Sequence, residues 1–269
     1  MLAVFSGEVV EVPAELVAAG SRTPSPKTRA SELVARFLGT CPAAVSVRLA
    51  ADLGHLAYSN ANQALLRPRS FAAKDEVFCL FQGVLDNLGR LSQQYGLSKG
   101  ANEVLLVIEA YKTLRDRAPY PASFMLSQLA GTYAFVLFDK STNSLLVASD
   151  PEGKVPLFWG ITADGCVAFS DDIDMLKGSC GKSLAPFPQG CFYSNALGGL
   201  KCYENPKNKV TAVPANEEEI CGATFQVNKC GRIYRPHSAA LVDAGRVIRS
   251  PSVSGRGRGQ CNKTLYMVV

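Results

Sequence analysis

The stretch GTYAFVLFDKSTNSLLVASDPEGKVPLFWG (131–160) decides the fold. Residues 132–150 are two runs rich in β-branched and aromatic residues around the polar break at 140–143, which reads as two strands and a hairpin turn. A second hairpin follows in PLFWGITADGCVAFSDD (156–172), turning at 163–165. SDDIDMLKG (170–178) reads as a strand end plus a helical turn, and FPQGCFYSNALGGLKCYEN (187–205) holds two further strands.

Working backwards from that stretch, the period changes. SFMLSQLAG (123–131) is a short helix, and ANEVLLVIEAYKTLRDR (101–117) places Val104, Leu105, Ile108, Tyr111 and Leu114 at helical spacing. VLDNLGRLSQQYGL (84–97) reads as an amphipathic helix with Leu85, Leu88 and Leu91 inward, after a buried strand EVFCLFQG (76–83). Residues 60–74 read mainly as loop, and strands are expected over 44–50 and 54–59. SELVARFLGT (31–40) is helical, SRTPSPKT (21–28) is a Pro-rich loop, 15–20 is a short helix, and LAVFSGEVV (2–10) is the first strand. Helices covering antiparallel strands make the chain α+β.

Composition narrows the classes. Hydrophobic residues at 47% supply a core, while the apolar runs 104–110 and 134–138 are too short for a bilayer span of about 20 residues. The start lacks a basic region and turns acidic at once, so no signal peptide is read. The cytoplasm is the expected compartment, with the nucleus as a second. Nine scattered cysteines include no CxxC pair, which fits reduced, mostly buried thiols. With two histidines, His55 and His237, neither a metal site nor a cofactor is expected. The charge of +5 is local: 228–269 carries eight cations against Asp243, a net +7, which leaves 1–227 at −2. The chain therefore divides into a domain at 1–227 and a basic, disordered tail at 228–269. Its RGRG stretch allows RNA binding only as a property of the tail.

The ordered residues Gly131, Phe135, Asp139, Asp150, Gly153, Pro156, Leu157 and Phe158 resemble the hairpin of class II glutamine amidotransferase domains, with Ser149 where those domains have Arg. VAFSDDIDML (167–176), FPQGCFYS (187–194), FQGVLDNLGRL (81–91) and ANEVLLVIEAY (101–111) resemble further segments in the same order. The words YGL (95–97) and LRDR (114–117), the Met-Leu-x-x-Phe start, SRTPSPKT and ENPKNK (204–209) are similar to the plant aluminium-induced or auxin-repressed proteins with YGL and LRDR motifs, also called stem-specific TSJT1-like. The resemblance implies a four-layer αββα sandwich of the N-terminal-nucleophile hydrolase type.

It also implies a chemistry to look for. Such amidases use an N-terminal Cys whose α-amino group is the base, an Asn-Gly oxyanion pair, and Arg and Asp anchors for glutamine. Here Leu2 stands at the nucleophile and disfavours removal of Met1. Gln82–Gly83 stands for Asn-Gly, Val84 for the Glu that follows, Ala57 near the Arg and Ala101 at the Asp. No catalytic residue is therefore assigned, and Leu2, Ala57, Gln82, Gly83, Val84 and Ala101 outline a remnant pocket. Cys79 is expected to be a core thiol and His55 a packing residue. Asp171, Asp172 and Asp174 are expected to cap a helix, Asp150 and Lys154 to hold the hairpin, and LRDR to fix its helix against the next loop or to line an interface. The expected function is a non-catalytic binding or regulatory role in plant stress or hormone response, as a homodimer with an unknown protein or small-molecule partner. Two alternatives stay open: rebuilt hydrolase chemistry around Gln82, Gly83 and Cys79, and RNA binding through the tail.

Overall fold

The computed structural model describes residues 1–20, 26–61, 70–117, 122–205, 207–216 and 219–228. The readings of 21–25, of 62–69 and of the basic tail fall outside those residues. The chain opens with β1 (Leu2–Phe5), α1 (Ala14–Gly20), α2 (Ala30–Thr40), β2 (Ala44–Arg48), β3 (Gly54–Ser59), β4 (Phe71–Lys74) and β5 (Val77–Leu85). Three helices follow: α3 (Leu88–Gln94), α4 (Glu103–Asp116) and α5 (Ala122–Gln128). Then come β6 (Gly131–Asp139), β7 (Ser144–Ser149), β8 (Phe158–Ile161), β9 (Val167–Ser170) and α6 (Ile173–Leu176). The described chain closes with β10 (Ala185–Pro186), β11 (Cys191–Ser194), β12 (Gly199–Cys202), β13 (Lys209–Pro214) and β14 (Ala223–Asn228).

Two six-stranded antiparallel sheets carry the fold. One runs β10-β8-β9-β1-β3-β2, the other β12-β11-β7-β6-β5-β4, and β13-β14 form a separate hairpin. Strand alternation gives each sheet two apolar faces. Ala3, Phe5, Phe169 and Trp159 of the first sheet meet Leu80, Val136, Phe138 and Tyr193 of the second in one core. The outer face of the second sheet (Cys79, Phe81, Phe135, Leu137) buries Leu106, Ile108, Met125 and Leu126 of α4 and α5. The outer face of the first (Leu2, Val4, Ala168) buries Leu33, Val34 and Phe37 of α2 with Met175 and Leu176 of α6. The result is helices, sheet, sheet, helices: the four-layer αββα sandwich. Trp159 is fully buried and touches the rings of Phe169, Phe187, Tyr193 and Phe225, with centroids 5.3–6.0 Å apart. Burial of each such side chain contributes about 1.5–3 kcal/mol.

Several expected elements move. Residues 71–74 form β4 rather than loop, paired from Phe71↔Leu80 to Lys74↔Val77. Their turn is Asp75–Glu76, both at positive φ (51° and 63°), a conformation usually announced by Asn-Gly or Asp-Gly. The helix expected from Val84 starts at Leu88, because β5 continues through Val84↔Thr132 and Leu85↔Gly131. The first strand ends at Phe5, where the N–H groups of Val9 and Val10 turn back to the Ser6 carbonyl. The β13–β14 hairpin, running from Lys209↔Asn228 to Pro214↔Ala223, was not among the expected strands.

Candidate functional site

β1 lies between β3 and β9, so Leu2 sits opposite both Ala57 and Ser170. Leu2 and Ala57 are fully buried and share the apolar layer under α2 and α6, a cluster that holds no residue of β5. Met1, one step earlier, points the other way, into the core between the sheets that also contains Leu80 and Ala134. Its ammonium group donates to Asp171 Oδ1 at 2.6 Å, and its carbonyl accepts from the Ser170 hydroxyl at 3.0 Å. The head of β1 is thus apolar on both faces and its amino group is held by a carboxylate.

Gln82, Gly83 and Val84 lie together near the end of β5, opposite Ala134, Tyr133 and Thr132. Gly83 has φ +116°, and a Cβ there would collide with the Thr132 carbonyl and stand 2.9 Å from Tyr133 Cα. The position therefore requires glycine. Gln82 is exposed and Val84 is 49% exposed. Alternation from Leu80 puts Gln82 on the face toward the first sheet. Ala101 is half-buried, just before Asn102, whose side chain accepts from the Leu105 N–H at 3.0 Å and caps α4. The expected pocket residues thus fall into three groups: Leu2 with Ala57, the β5 tripeptide, and Ala101 at the head of α4.

Other expected residues take structural places. Asp150 is fully buried; its side chain accepts from the N–H groups of Tyr133 and Glu152 at 3.2 and 2.8 Å, so it holds the hairpin. Lys154 instead pairs with exposed Glu152, because its head stays in water. Ser149, at the position of the absent Arg, is buried and its carbonyl accepts from Tyr203 at 2.9 Å. Tyr133 lies 3.0 Å from that same hydroxyl, and burial pushes both phenols up. Asp172 caps α6 through the Asp174 N–H at 2.9 Å. Cys79 is sealed in the core beneath α4, and burial pushes its thiol far above the ordinary range. Half-buried His55 is lowered by burial and by Arg48.

The two sequence words that label the relatives are also structural. In YGL, Gly96 takes φ +66° and the Leu97 N–H bonds back to Ser92 at 2.8 Å, the glycine stop of α3. In LRDR, Arg115 donates to buried Asp139 at 3.0 Å, so the motif anchors α4 on the β6–β7 turn, while the following loop at 118–121 lies outside the described residues.

A family model described as aluminium induced protein matches residues 2–227. The chain belongs to the aluminium induced protein family. It is 40% identical over 150 residues to the stem-specific protein TSJT1 of Nicotiana tabacum, covering 55% of this chain and 99% of that one. This family member is also 35% identical over 99 residues to a probable glutamine-hydrolysing asparagine synthetase of Dictyostelium discoideum, covering 35% of this chain but 18% of that one. The match to Arabidopsis thaliana asparagine synthetase 1 is 37% over 94 residues and covers 35% of this chain and 16% of the synthetase. The chain thus spans under a fifth of either synthetase. Among solved structures, the glutamine PRPP amidotransferase of B. subtilis aligns with TM-score 0.44 and 18% identity, over 55% of this chain and 34% of that one. An allosteric regulatory enzyme of purine biosynthesis aligns with TM-score 0.46 and 13% identity, over 74% and 47%.

Proposed function

We propose that this member of the aluminium induced protein family is a non-catalytic binding or regulatory protein on an amidotransferase-like sandwich. One observation carries the reading: the head of β1, where an amidase needs a nucleophile and a free amine, holds the apolar side chains of Met1 and Leu2 and an ammonium paired with Asp171. Ala57 and Ala101 offer no group to grip a glutamine carboxylate or amine. Gln82 and Val84 remain exposed beside Gly83, and this strip is the proposed contact for a protein or small-molecule partner. The match to a stem-specific tobacco protein supports a plant role, proposed as stress or hormone response, in the cytoplasm or nucleus and as a homodimer.

The test is ammonia release from glutamine by the full chain, with intact-mass analysis of the same sample. Retained Met1 and no release above buffer are expected. Turnover that disappears in Cys79→Ala would overturn the reading in favour of rebuilt chemistry.

A further inference from the structure

Cys191 and Cys202 face each other across β11 and β12. Their pairing type follows from the backbone: the Tyr203 N–H donates to the Gly190 carbonyl at 3.0 Å, which places the bond outside the pair. Cys191–Cys202 is thus a non-hydrogen-bonded pair, the antiparallel arrangement that brings opposite Cα atoms to about 4.5 Å and side chains closest together. That separation lies within the span of about 4.4–6.8 Å that a disulfide bridges. Both side chains point into the inter-sheet core, and both are free thiols.

The two sulfurs are not equivalent. The Asn208 side-chain amide donates toward Cys202 Sγ at 3.9 Å. That donor favours the thiolate of Cys202, while contact with Cys202 and burial push the Cys191 thiol up. Asn208 belongs to the ENPKNK word, where its N–H donates to the Asn205 carbonyl at 2.9 Å and the Lys207 N–H donates to Asn205 Oδ1 at 3.0 Å. β12 is the outermost strand of its sheet. Cys202 is 2% exposed and Cys191 fully buried, so a reactant has to be small.

We propose that Cys191 and Cys202 form a peroxide-responsive dithiol, with Cys202 the attacking and Cys191 the resolving sulfur. Cys202 sulfur attacks one oxygen of hydrogen peroxide; the O–O bond breaks, an S–O bond forms, and the departing hydroxide leaves as water with the proton that Cys202 gave up. Cys191 sulfur then attacks Cys202 sulfur; the S–O bond breaks, the S–S bond forms, and the hydroxyl leaves as a second water with the Cys191 proton. The dithiol loses two electrons and the peroxide gains them. The product ties β12 to β11 at the point where the ENPKNK turn docks.

Lys201 separates the two cysteines for trypsin, so a disulfide joins the peptides 183–201 and 202–207. The reduced full chain is treated with one to ten equivalents of hydrogen peroxide, blocked with an alkylating agent and mapped by mass spectrometry. The 183–201/202–207 cross-link is expected as the dominant disulfide, reversed by dithiothreitol. Cys191→Ser is expected to trap a dimedone-reactive sulfenic acid on Cys202, and Cys202→Ser to leave Cys191 unoxidised over the same time. Asn208→Ala is expected to slow the cross-link several-fold without redirecting it. Absence of the cross-link in the folded wild-type chain, a dominant bond between other cysteines, or first oxidation at Cys191 overturns the proposal.

Discussion

Replacing Arg115 by alanine removes a charge-assisted hydrogen bond to a fully buried carboxylate. Asp139 accepts from Tyr111 Oη at 3.1 Å, Arg115 Nη1 at 3.0 Å, Ser141 N at 2.9 Å and Ser141 Oγ at 2.6 Å. A hydrogen bond to a charged group contributes about 1.5–3 kcal/mol. The Arg115 side chain is 25% exposed and the Tyr111 and Ser141 donors survive its loss, so the expected cost falls at the low end, about 1–2 kcal/mol. Asp139→Ala removes the shared acceptor of Tyr111, Arg115 and the Ser141 N–H, so about 3–5 kcal/mol is expected. Urea unfolding followed by fluorescence of Trp159, the single tryptophan and fully buried, reads both values from midpoints at constant slope.

The acid limb provides the sharper test. Burial pushes the Asp139 carboxyl up, but the hydrogen bonds from Ser141 and Arg115 outweigh it and hold it below the ordinary range. A depressed folded value means its stabilisation is complete above the unfolded pKa of about 3.9 and fades as pH falls through the folded one. Removing Arg115 deletes one of the groups that depress it. The stability gap between wild type and Arg115→Ala is therefore expected to be full at pH 7 and to shrink below about pH 4. A gap that stays constant down to pH 2.5, or a variant as stable as wild type at pH 7, would refute the anchoring role given to LRDR.

Three further outcomes follow from the same geometry. Gly83→Ala is expected to lose more than about 2 kcal/mol through strain at positive φ and the clash with Thr132, whereas Gly39→Ala, in α2 with open space around it, is expected to gain about 0.5–1 kcal/mol; equal midpoints for the pair would sink the steric account. Asp171→Asn is expected to cost about 1–3 kcal/mol, because it weakens the 2.6 Å ion pair with the amino group of buried Met1; an unchanged melting curve would show that the head of β1 is held by packing alone. Leu2→Cys supplies a nucleophile but no anchors, so it is expected to release no ammonia from glutamine, and release above the wild-type background would mean that Ala57 and Ala101 do not limit the site.

The hairpins were legible because 132–150 and 156–172 hold short apolar runs rich in β-branched and aromatic residues that break at polar turns. β4 was hidden because Asp75 and Glu76 adopt positive φ without glycine or asparagine to announce it. The start of α3 was misread because Val84 and Leu85 suit either period. Leu85, Leu88 and Leu91 do face one core, although Leu85 reaches it from a strand. At the site, residue types were readable one by one, but their grouping was not. Leu2 meets Ala57 only through the order β9-β1-β3, and Met1 fills the opposite face only because β1 is pleated. The Cys191–Cys202 pair escaped for the same reason: ten intervening residues say nothing until the register is known.

Gly83 shows how such a grouping changes the meaning of one residue. A glycine standing where amidases place an oxyanion donor looks like surviving chemistry. Its conformation suggests a different reason for staying. With φ at +116° and Thr132 across the ladder, any larger side chain would break the β5–β6 pairing that joins Val84 to Thr132 and Leu85 to Gly131. That constraint belongs to the sandwich and persists whether or not an oxyanion ever forms beside it. Leu2 carries no such constraint from the backbone, because only packing under α2 and α6 selects it. Glycine at 83 and leucine at 2 are thus both accounted for by the packing of the sandwich.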